Sequence, residues 1–124
     1  MIDISVVGCG KWADIIINEI FKNKKYNLKS IVCRREKILL DNIKTFSSIE
    51  DMIEDNSLDF VFLDADHGFD GCSQDIEKWT PKVKSGGFIT GHDIWLSGVQ
   101  KAVQKHFGND YKKHPDHVWI HRKK

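Results

Sequence analysis

Residues 58–67 read LDFVFLDADH and residues 86–93 read GGFITGHD, and these two stretches decide the fold. Each is a short apolar run that ends in acidic and imidazole side chains, which predicts two buried strands with polar residues at their carboxyl ends. In an open parallel α/β sheet, ligands bind in the crevice beyond the carboxyl ends of the strands. We therefore expect one mouth to hold the side chains that end the two runs: Asp64, Asp66, His67, His92 and Asp93.

Apolar runs and helical repeats alternate along the rest of the chain. The runs predict strands at residues 2–7, 28–33, 43–46, 58–64, 88–91 and 117–121. The last run alternates polar and apolar residues, as an edge strand with one wet face would. Helical spacing predicts helices that end near residues 23, 55, 80 and 107. This alternation predicts an α/β, Rossmann-like fold, with a mostly parallel sheet of about six strands and helices on both faces.

Length and composition predict a single domain over residues 1–124. The formal net charge of +1 gives no reason to expect a nucleic-acid partner. The three cysteines form no C-x-x-C pair, which argues against a disulfide framework and a structural zinc site and favours a reducing compartment. Since no apolar run approaches membrane-spanning length, we expect a soluble, cytoplasmic protein with no membrane partner.

A glycine turn follows the first strand. Residues 8–13 read GCGKWA, and glycines at positions 8 and 10 would let the backbone turn sharply and approach a ligand closely. The amino end of the next helix offers unpaired N–H groups to an anionic or polar ligand. The turn therefore predicts a ligand site, with a plain strand-to-helix connection as the alternative. Arg34 and Arg35 follow the second strand, where nucleotide-binding folds often place an acid that holds a ribose.

The acidic strand ends predict a cation site. Hard divalent cations prefer oxygen ligands and keep several waters, so two or three protein ligands suffice when a substrate supplies the rest. Asp64 with Asp93, joined by His92, fits that number. His67 lies three residues beyond Asp64, where a neutral imidazole could accept a proton from a metal-bound hydroxyl. The alternative is structural, with acids that cap a helix or bind backbone amides and histidines that only hydrogen-bond.

Other aromatic and imidazole side chains carry weaker indications. Trp95 follows Asp93 and either walls a ligand pocket or only packs, and the sequence leaves both open. Trp79 lies at core spacing and should pack. Four further histidines lack neighbouring carboxylates in the pattern, so we expect surface or packing roles for them. They are His106, His114, His117 and His121.

Several spaced motifs between residues 58 and 107 resemble class I S-adenosylmethionine-dependent methyltransferases, in particular the small-molecule O-methyltransferase type. The motifs are LDFVFLDADH at 58–67, DIEKWTPKVKSGG at 75–87, GHD at 91–93 and GVQKAV at 98–103. The resemblance implies a seven-strand-type sheet and methyl transfer from S-adenosylmethionine to an oxygen of a small-molecule substrate. Helices that normally precede the first strand are missing from the pattern, and a homodimer is one way to complete the site.

The resemblance also implies roles for particular residues. The catalytic base would be His67. The cation, Mg²⁺ or another divalent ion, would be bound by Asp64, His92 and Asp93. The contacts to the cofactor would come from Gly8, Cys9, Gly10, Lys11, Asp64 and Ala65.

The first half of the chain has a second resemblance. Residues 2–63 are similar to the nucleotide-binding half of the glucose-fructose oxidoreductase type of dehydrogenase, through GCGKWA at 8–13, the arginine pair at 34–35 and FSSIEDMI at 46–53. Without a substrate domain, this resemblance implies an NAD(P)-binding module that acts as a binding or regulatory protein. A catalytically silent interaction domain is the third alternative, because this type of sheet carries many functions.

Overall fold

The described part of the chain forms one seven-stranded sheet. The computed structural model describes residues 1–8, 11–32, 45–46, 53–64 and 67–124. The strands are β1 (Ile2–Val7), β2 (Tyr26–Val32), β3 (Thr45–Phe46), β4 (Leu58–Leu63), β5 (Val83–Gly91), β6 (Lys112–His114) and β7 (Val118–Arg122). Their order is β3-β2-β1-β4-β5-β7-β6. The first five strands pair in parallel, and β7 runs antiparallel to both β5 and β6.

Three helices of the described residues accompany the sheet. They are α1 (Lys11–Lys22), α2 (Phe69–Trp79) and α3 (Ser97–Phe107), with short 3-10 turns at Thr80–Lys82 and Pro115–His117. α1 connects β1 to β2, α2 leads from β4 back to β5, and α3 follows β5. No helix in the described ranges is long and apolar enough to cross a membrane.

The core divides into two layers because β4 is buried on both faces. Val61 points into a cluster with α2 and α3, whereas the next residue, Phe62, points into a cluster with α1. Such strands read as continuous apolar runs, which is why residues 58–63 gave the clearest signal in the sequence. Trp79 is fully buried in the first cluster, so the packing role expected from its spacing is confirmed.

α1 covers part of the other face. Its buried side chains recur at helical spacing on one stripe, at Ala13, Ile17 and Ile20, and they pack against Ile4 and Val6 of β1. This one-sided stripe holds the first turn of α1 beside the carboxyl end of β1. The fold thereby brings the segment after the glycine turn to the same edge of the sheet as the ends of β4 and β5.

The α/β class and the mostly parallel sheet are confirmed, and four details differ. The described residues contain seven strands where about six were expected, because β6 consists of exposed Lys-Lys-His and carries no apolar signal. β7 is therefore internal and not an edge strand. Residues 86–87 lie inside β5 and not in a turn before it. Residues 53–55 are not helical, and the rest of the helix expected at 47–55 lies outside the described residues.

Candidate functional site

Backbone hydrogen bonds align the carboxyl ends of three strands. The Asp64 N–H donates to the Val7 carbonyl at 2.8 Å, and the His92 N–H donates to the Leu63 carbonyl at 3.3 Å. The ends of β1, β4 and β5 therefore lie side by side. This pairing confirms that the two acidic runs end at one edge of the sheet, and Asp66 lies outside the described residues.

Asp64, His67 and Asp93 form a compact cluster at this edge. His67 Nε2 lies 2.8 Å from Asp93 Oδ2 and 3.8 Å from Asp64 Oδ1. One ligand atom from each of the three residues lies within 4.8 Å of the others, a spacing at which they could hold a metal ion. His67, which we predicted as a base, is thus also within reach of a cation.

His92 faces the same two carboxylates with its other ring nitrogen. His92 Nε2 lies 2.7 Å from the Asp116 carbonyl oxygen, which can only accept, so Nε2 carries a hydrogen and donates. His92 Nδ1 lies 3.2 Å from Asp93 Oδ1 and 3.9 Å from Asp64 Oδ1. A neutral ring would present a lone pair to these oxygens. Either a proton on Nδ1 or a cation must therefore separate the three atoms.

The four side chains differ in exposure: Asp64, His92 and Asp93 form a buried floor, and His67 forms an exposed rim. The side chains of Asp64, His92 and Asp93 are 8%, 7% and 14% exposed, whereas that of His67 is 56% exposed. The Trp12 ring packs against the His92 ring with centroids 4.4 Å apart and shields it. The arrangement suits buried residues that bind an ion and an accessible residue that exchanges a proton.

Burial raises the pKa of the Asp64 carboxyl above its ordinary value. Interactions with the His92 and His67 rings lower the pKa of Asp64, while the Asp93 carboxylate raises it further. Two carboxylates brought together at low exposure repel each other, and a bound cation would relieve that repulsion. The electrostatics of the floor therefore favour a positively charged ligand.

The backbone that carries these groups adopts uncommon conformations. Asp93 has a φ of 64°, and Asp116 and His117 have φ values of 65° and 63°. The segment at residues 93–94 and the segment at residues 116–117 are joined by a hydrogen bond from the Ile94 N–H to the His117 carbonyl at 3.1 Å. Residues other than glycine reach the left-handed region at a cost, and such conformations concentrate at functional sites. Here they aim the Asp93 carboxylate and the Asp116 carbonyl at one place.

α3 supports the segment that carries His67. A Cβ added to Gly98 would lie 2.8 Å from the His67 carbonyl oxygen and 2.9 Å from the Phe69 nitrogen. Only a glycine in the first turn of α3 lets the helix approach this closely.

Two exposed aromatic side chains flank the region: Phe69, at the start of α2, and Trp95, which is 62% exposed with its ring centroid 5.8 Å from that of His117. Whether Trp95 walls a ligand pocket stays a prediction.

The glycine turn is described only in part. Gly8 is buried and has a φ of 120°, a conformation that side chains rarely adopt. Lys11 is the exposed first residue of α1. The remaining predicted contacts fall outside the described residues, as do the arginines after β2. They are Cys9, Gly10, Ala65, Arg34 and Arg35.

Some features of the site could not be read from the sequence. The Asp116 carbonyl belongs to the backbone and leaves no side-chain pattern, although an aspartate after a proline is a turn signal. Trp12 lies in the first turn of α1, and no spacing in the sequence indicates its contact with His92. Two other histidines bond within the fold, as expected for packing roles: His106 Nε2 lies 2.8 Å from Ser73 Oγ, and His121 Nδ1 lies 2.6 Å from the Asp110 carbonyl oxygen.

Comparison with known proteins places the site within a recognised domain. Residues 10–94 match a family model described as a methyltransferase domain, and all four clustered side chains fall inside that range. Uncharacterized protein y4gI of Sinorhizobium fredii (strain NBRC 101917 / NGR234) is 36% identical over 50 residues. That match covers 40% of this chain and 6% of the relative, so the chain spans only a small part of its length.

Two solved structures share the fold at low sequence identity. A putative type 11 methyltransferase from Sulfolobus solfataricus has a TM-score of 0.59 and 15% identity, over 98% of this chain and 85% of that one. Homoserine dehydrogenase from S. aureus has a TM-score of 0.59 and 14% identity, over 84% of this chain and 30% of that one. The two likenesses match the two resemblances expected from the sequence, and at this identity they show the fold alone.

Proposed function

Because this chain belongs to the methyltransferase-domain family, we propose that it transfers a methyl group from S-adenosylmethionine to an oxygen of a small molecule, with a divalent cation at the site. The observation that carries the proposal is the convergence of Asp64, His67 and Asp93 beside the turn at Gly8. The alignment of β1 with β4 puts a turn suited to a cofactor next to donors suited to an ion.

The residues at the end of β1 fit the cofactor. S-adenosylmethionine, when bound, supplies an activated methyl group on a sulfonium. Gly8 ends β1 with a positive φ, so its backbone can turn close to a ligand without a Cβ in the way. We propose that the turn, the start of α1 and the end of β4 bind the cofactor. The contacts would come from Gly8, Cys9, Gly10, Lys11, Asp64 and Ala65.

The floor of the site fits a hard divalent cation. His92 Nδ1 lies 3.9 Å from Asp64 Oδ1 and 3.2 Å from Asp93 Oδ1, and the bond of Nε2 to the Asp116 carbonyl leaves Nδ1 as an acceptor. Oxygen-rich sites with two or three protein ligands suit Mg²⁺ or Mn²⁺. A divalent cation bound there would lower the pKa of an acceptor hydroxyl and orient it. Asp64, His92 and Asp93 are therefore the proposed ligands.

His67 is the proposed base because it is the accessible member of the cluster. Its Nε2 lies 2.8 Å from Asp93 Oδ2, and a carboxylate at that distance holds the hydrogen on Nε2. The lone pair then lies on Nδ1, which we propose accepts the proton of the acceptor hydroxyl. Asp93 thus serves two groups, orienting His67 with one oxygen and facing His92 with the other.

Calorimetry tests the proposal directly. We expect saturable heat with S-adenosylmethionine and with S-adenosylhomocysteine, and a separate heat with Mg²⁺ or Mn²⁺. Asp93→Asn keeps a residue that tolerates the left-handed backbone but removes one charge. It should weaken cation binding by at least about tenfold and leave cofactor binding in place. His67→Ala should keep both heats and lower turnover by roughly a hundredfold or more, once an acceptor is found.

Controls separate the site from general effects. His114→Ala removes an exposed histidine of β6 and should change neither heat. The absence of heat with either cofactor form at millimolar concentration would eliminate the methyl-transfer proposal. Saturable NADP binding in its place would favour the alternative of a nucleotide-binding module.

A further inference from the structure

The face of the sheet that carries α1 is only partly covered by the described residues. α1 lies mainly against β1 and β2. Beside it, Phe60, Phe88 and Ile120 of β4, β5 and β7 line an open groove of about 680 Å³. The other wall of the groove is formed by Ile16 and Ile20 of α1. Among the described residues, the central strands are thus covered by α2 and α3 on one face and leave a gap beside α1 on the other.

The apolar side chains that line the groove are more exposed than side chains on a strand inside a sheet usually are. Phe88 is 38% exposed, whereas its neighbour Ile89, which points to the α2 and α3 side, is fully buried. Ile2 and Tyr26, at the same end of the sheet, are 40% and 37% exposed. Strands of a largely parallel sheet are normally buried on both faces. Contiguous exposed apolar surface marks a place where another surface binds.

The charged residues around the groove indicate what kind of surface would bind there. Glu19 lies on the α1 wall with Lys22 Nζ 3.1 Å from its Oε1, and Lys84 lies on the β5 wall beside Asp59, so each wall carries an acid and a base at the border of an apolar floor. A twofold axis that runs along the groove, between the two copies, would place the α1 wall of one copy against the β5 wall of the other. Glu19 would then meet Lys84 of the second copy, twice. Lys84 touches Asp59 at 3.4 Å and retains ammonium hydrogens for a further partner.

We propose that two copies of this chain associate groove to groove as a symmetric dimer. The contact would bury Phe88 and its apolar neighbours at the centre and pair Glu19 with Lys84 at both edges. The groove is lined by residues near the amino ends of the strands, such as Ile2, Asp59 and Lys84, whereas the candidate site lies at the carboxyl ends. The dimer would leave the site open, so this proposal does not depend on the proposed function.

The mass of the full chain in solution tests the dimer. Sedimentation equilibrium should give about twice the 14.3 kDa of one chain. Phe88→Ser should raise the dissociation constant at least about tenfold, as expected for an aromatic residue at the centre of an interface. Phe69→Ser is the matched control, since Phe69 is 37% exposed but lies at the other end of the sheet, and it should leave the mass unchanged. Circular dichroism would check that both variants are folded.

Charge reversal tests the twofold arrangement itself. Glu19→Lys alone and Lys84→Glu alone would each place like charges together at both edges and weaken self-association. An equimolar mixture of the two variants would restore opposite charges at both edges, so it should associate more tightly than either variant alone. A wild-type mass of one chain at every concentration would overturn the proposal. So would equal effects of Phe88→Ser and Phe69→Ser, or a mixture that associates no better than its components.

Discussion

At the scale of single residues, the candidate site is a compromise between function and stability. Asp64 is held at low exposure beside a second carboxylate, and its pKa is raised chiefly by burial. Its folded pKa thus lies above its unfolded value, so the stability contributed by this group is fully present below the unfolded pKa. That contribution is lost as the pH rises through the folded pKa. At pH values above the folded pKa and without a cation, Asp64 therefore destabilises the fold.

Asp64→Asn should consequently stabilise the cation-free protein. We expect its melting temperature to exceed that of the wild type by a few degrees at pH 7, and the difference to shrink as the pH falls towards 3.8, the ordinary pKa of an aspartate. Addition of Mg²⁺ should raise the melting temperature of the wild type more than that of the variant. Thermal unfolding followed at several pH values checks this, and a variant less stable than the wild type at pH 7 would contradict it.

The second residue-scale prediction concerns the support of His92. The Asp116 carbonyl fixes the His92 ring only while Asp116 keeps its φ of 65°. Asp116→Val puts a branched side chain where the left-handed region is costly, whereas Asp116→Gly keeps that region accessible. We expect the valine variant to bind Mn²⁺ about 10- to 100-fold more weakly and the glycine variant to bind nearly as the wild type does. Titration calorimetry measures both, and nitrogen chemical shifts of the His92 ring report its tautomer. Equal affinities in the two variants would show that the carbonyl does not matter.

At the scale of elements, the position of α3 against residues 67–69 determines where His67 lies. Gly98→Ala would normally favour a helix by about 1 kcal/mol. Here the new Cβ would lie within 3 Å of two backbone atoms, which cannot rotate away, and such crowding costs about 1–3 kcal/mol. We therefore expect the melting temperature to stay level or fall, and turnover to fall because the proposed base His67 moves.

Ser97→Ala is the control for this prediction. It changes an exposed residue in the same turn of α3 without adding an atom near His67, so it should affect neither measurement. A Gly98→Ala protein that melts higher than the wild type and turns over equally fast would show that the close approach is unimportant.

The elements also show where sequence reasoning succeeds. Residues 60–63 are continuously apolar because β4 is buried on both faces, and α1 repeats its apolar residues on one stripe, so both were predicted. β6 has the sequence Lys-Lys-His and every side chain exposed, so it leaves no hydrophobic signal. The pairing of β7 with β6 was missed for the same reason. Gly86 and Gly87 indicated a turn, but they occur inside β5, where a Cβ on Gly87 would lie 2.7 Å from the Asp59 carbonyl oxygen.

The site follows the same division. Asp64 and Asp93 were placed together because parallel strands end at one edge, which is a rule of topology that a sequence can apply. The contact of His92 with Asp116 depends on how the β6–β7 connection folds back over β5, and it uses a backbone group. No residue pattern encodes such a contact, so the support of His92 was not predictable.

At the scale of the whole molecule, the two ends of the sheet differ in character. The carboxyl ends of β1, β4 and β5 collect acids, imidazoles and the Gly8 turn, whereas the amino ends border an apolar groove. Gly91 and Trp119 fix the relation of β7 to this sheet, because a Cβ on Gly91 would lie 2.6 Å from Trp119 Nε1. This tight contact between β5 and β7 keeps Asp93 and the turn at Asp116 in register.

The left-handed backbone at Asp93 narrows the mutational routes open to this chain. Aspartate, asparagine and glycine tolerate that conformation best, and among these only aspartate is charged. A single change to asparagine would therefore remove the negative charge at this position while the scaffold survives. A change to glutamate would keep the charge but strain the backbone. Variants that lose this charge would thus remain well folded and could evolve other functions.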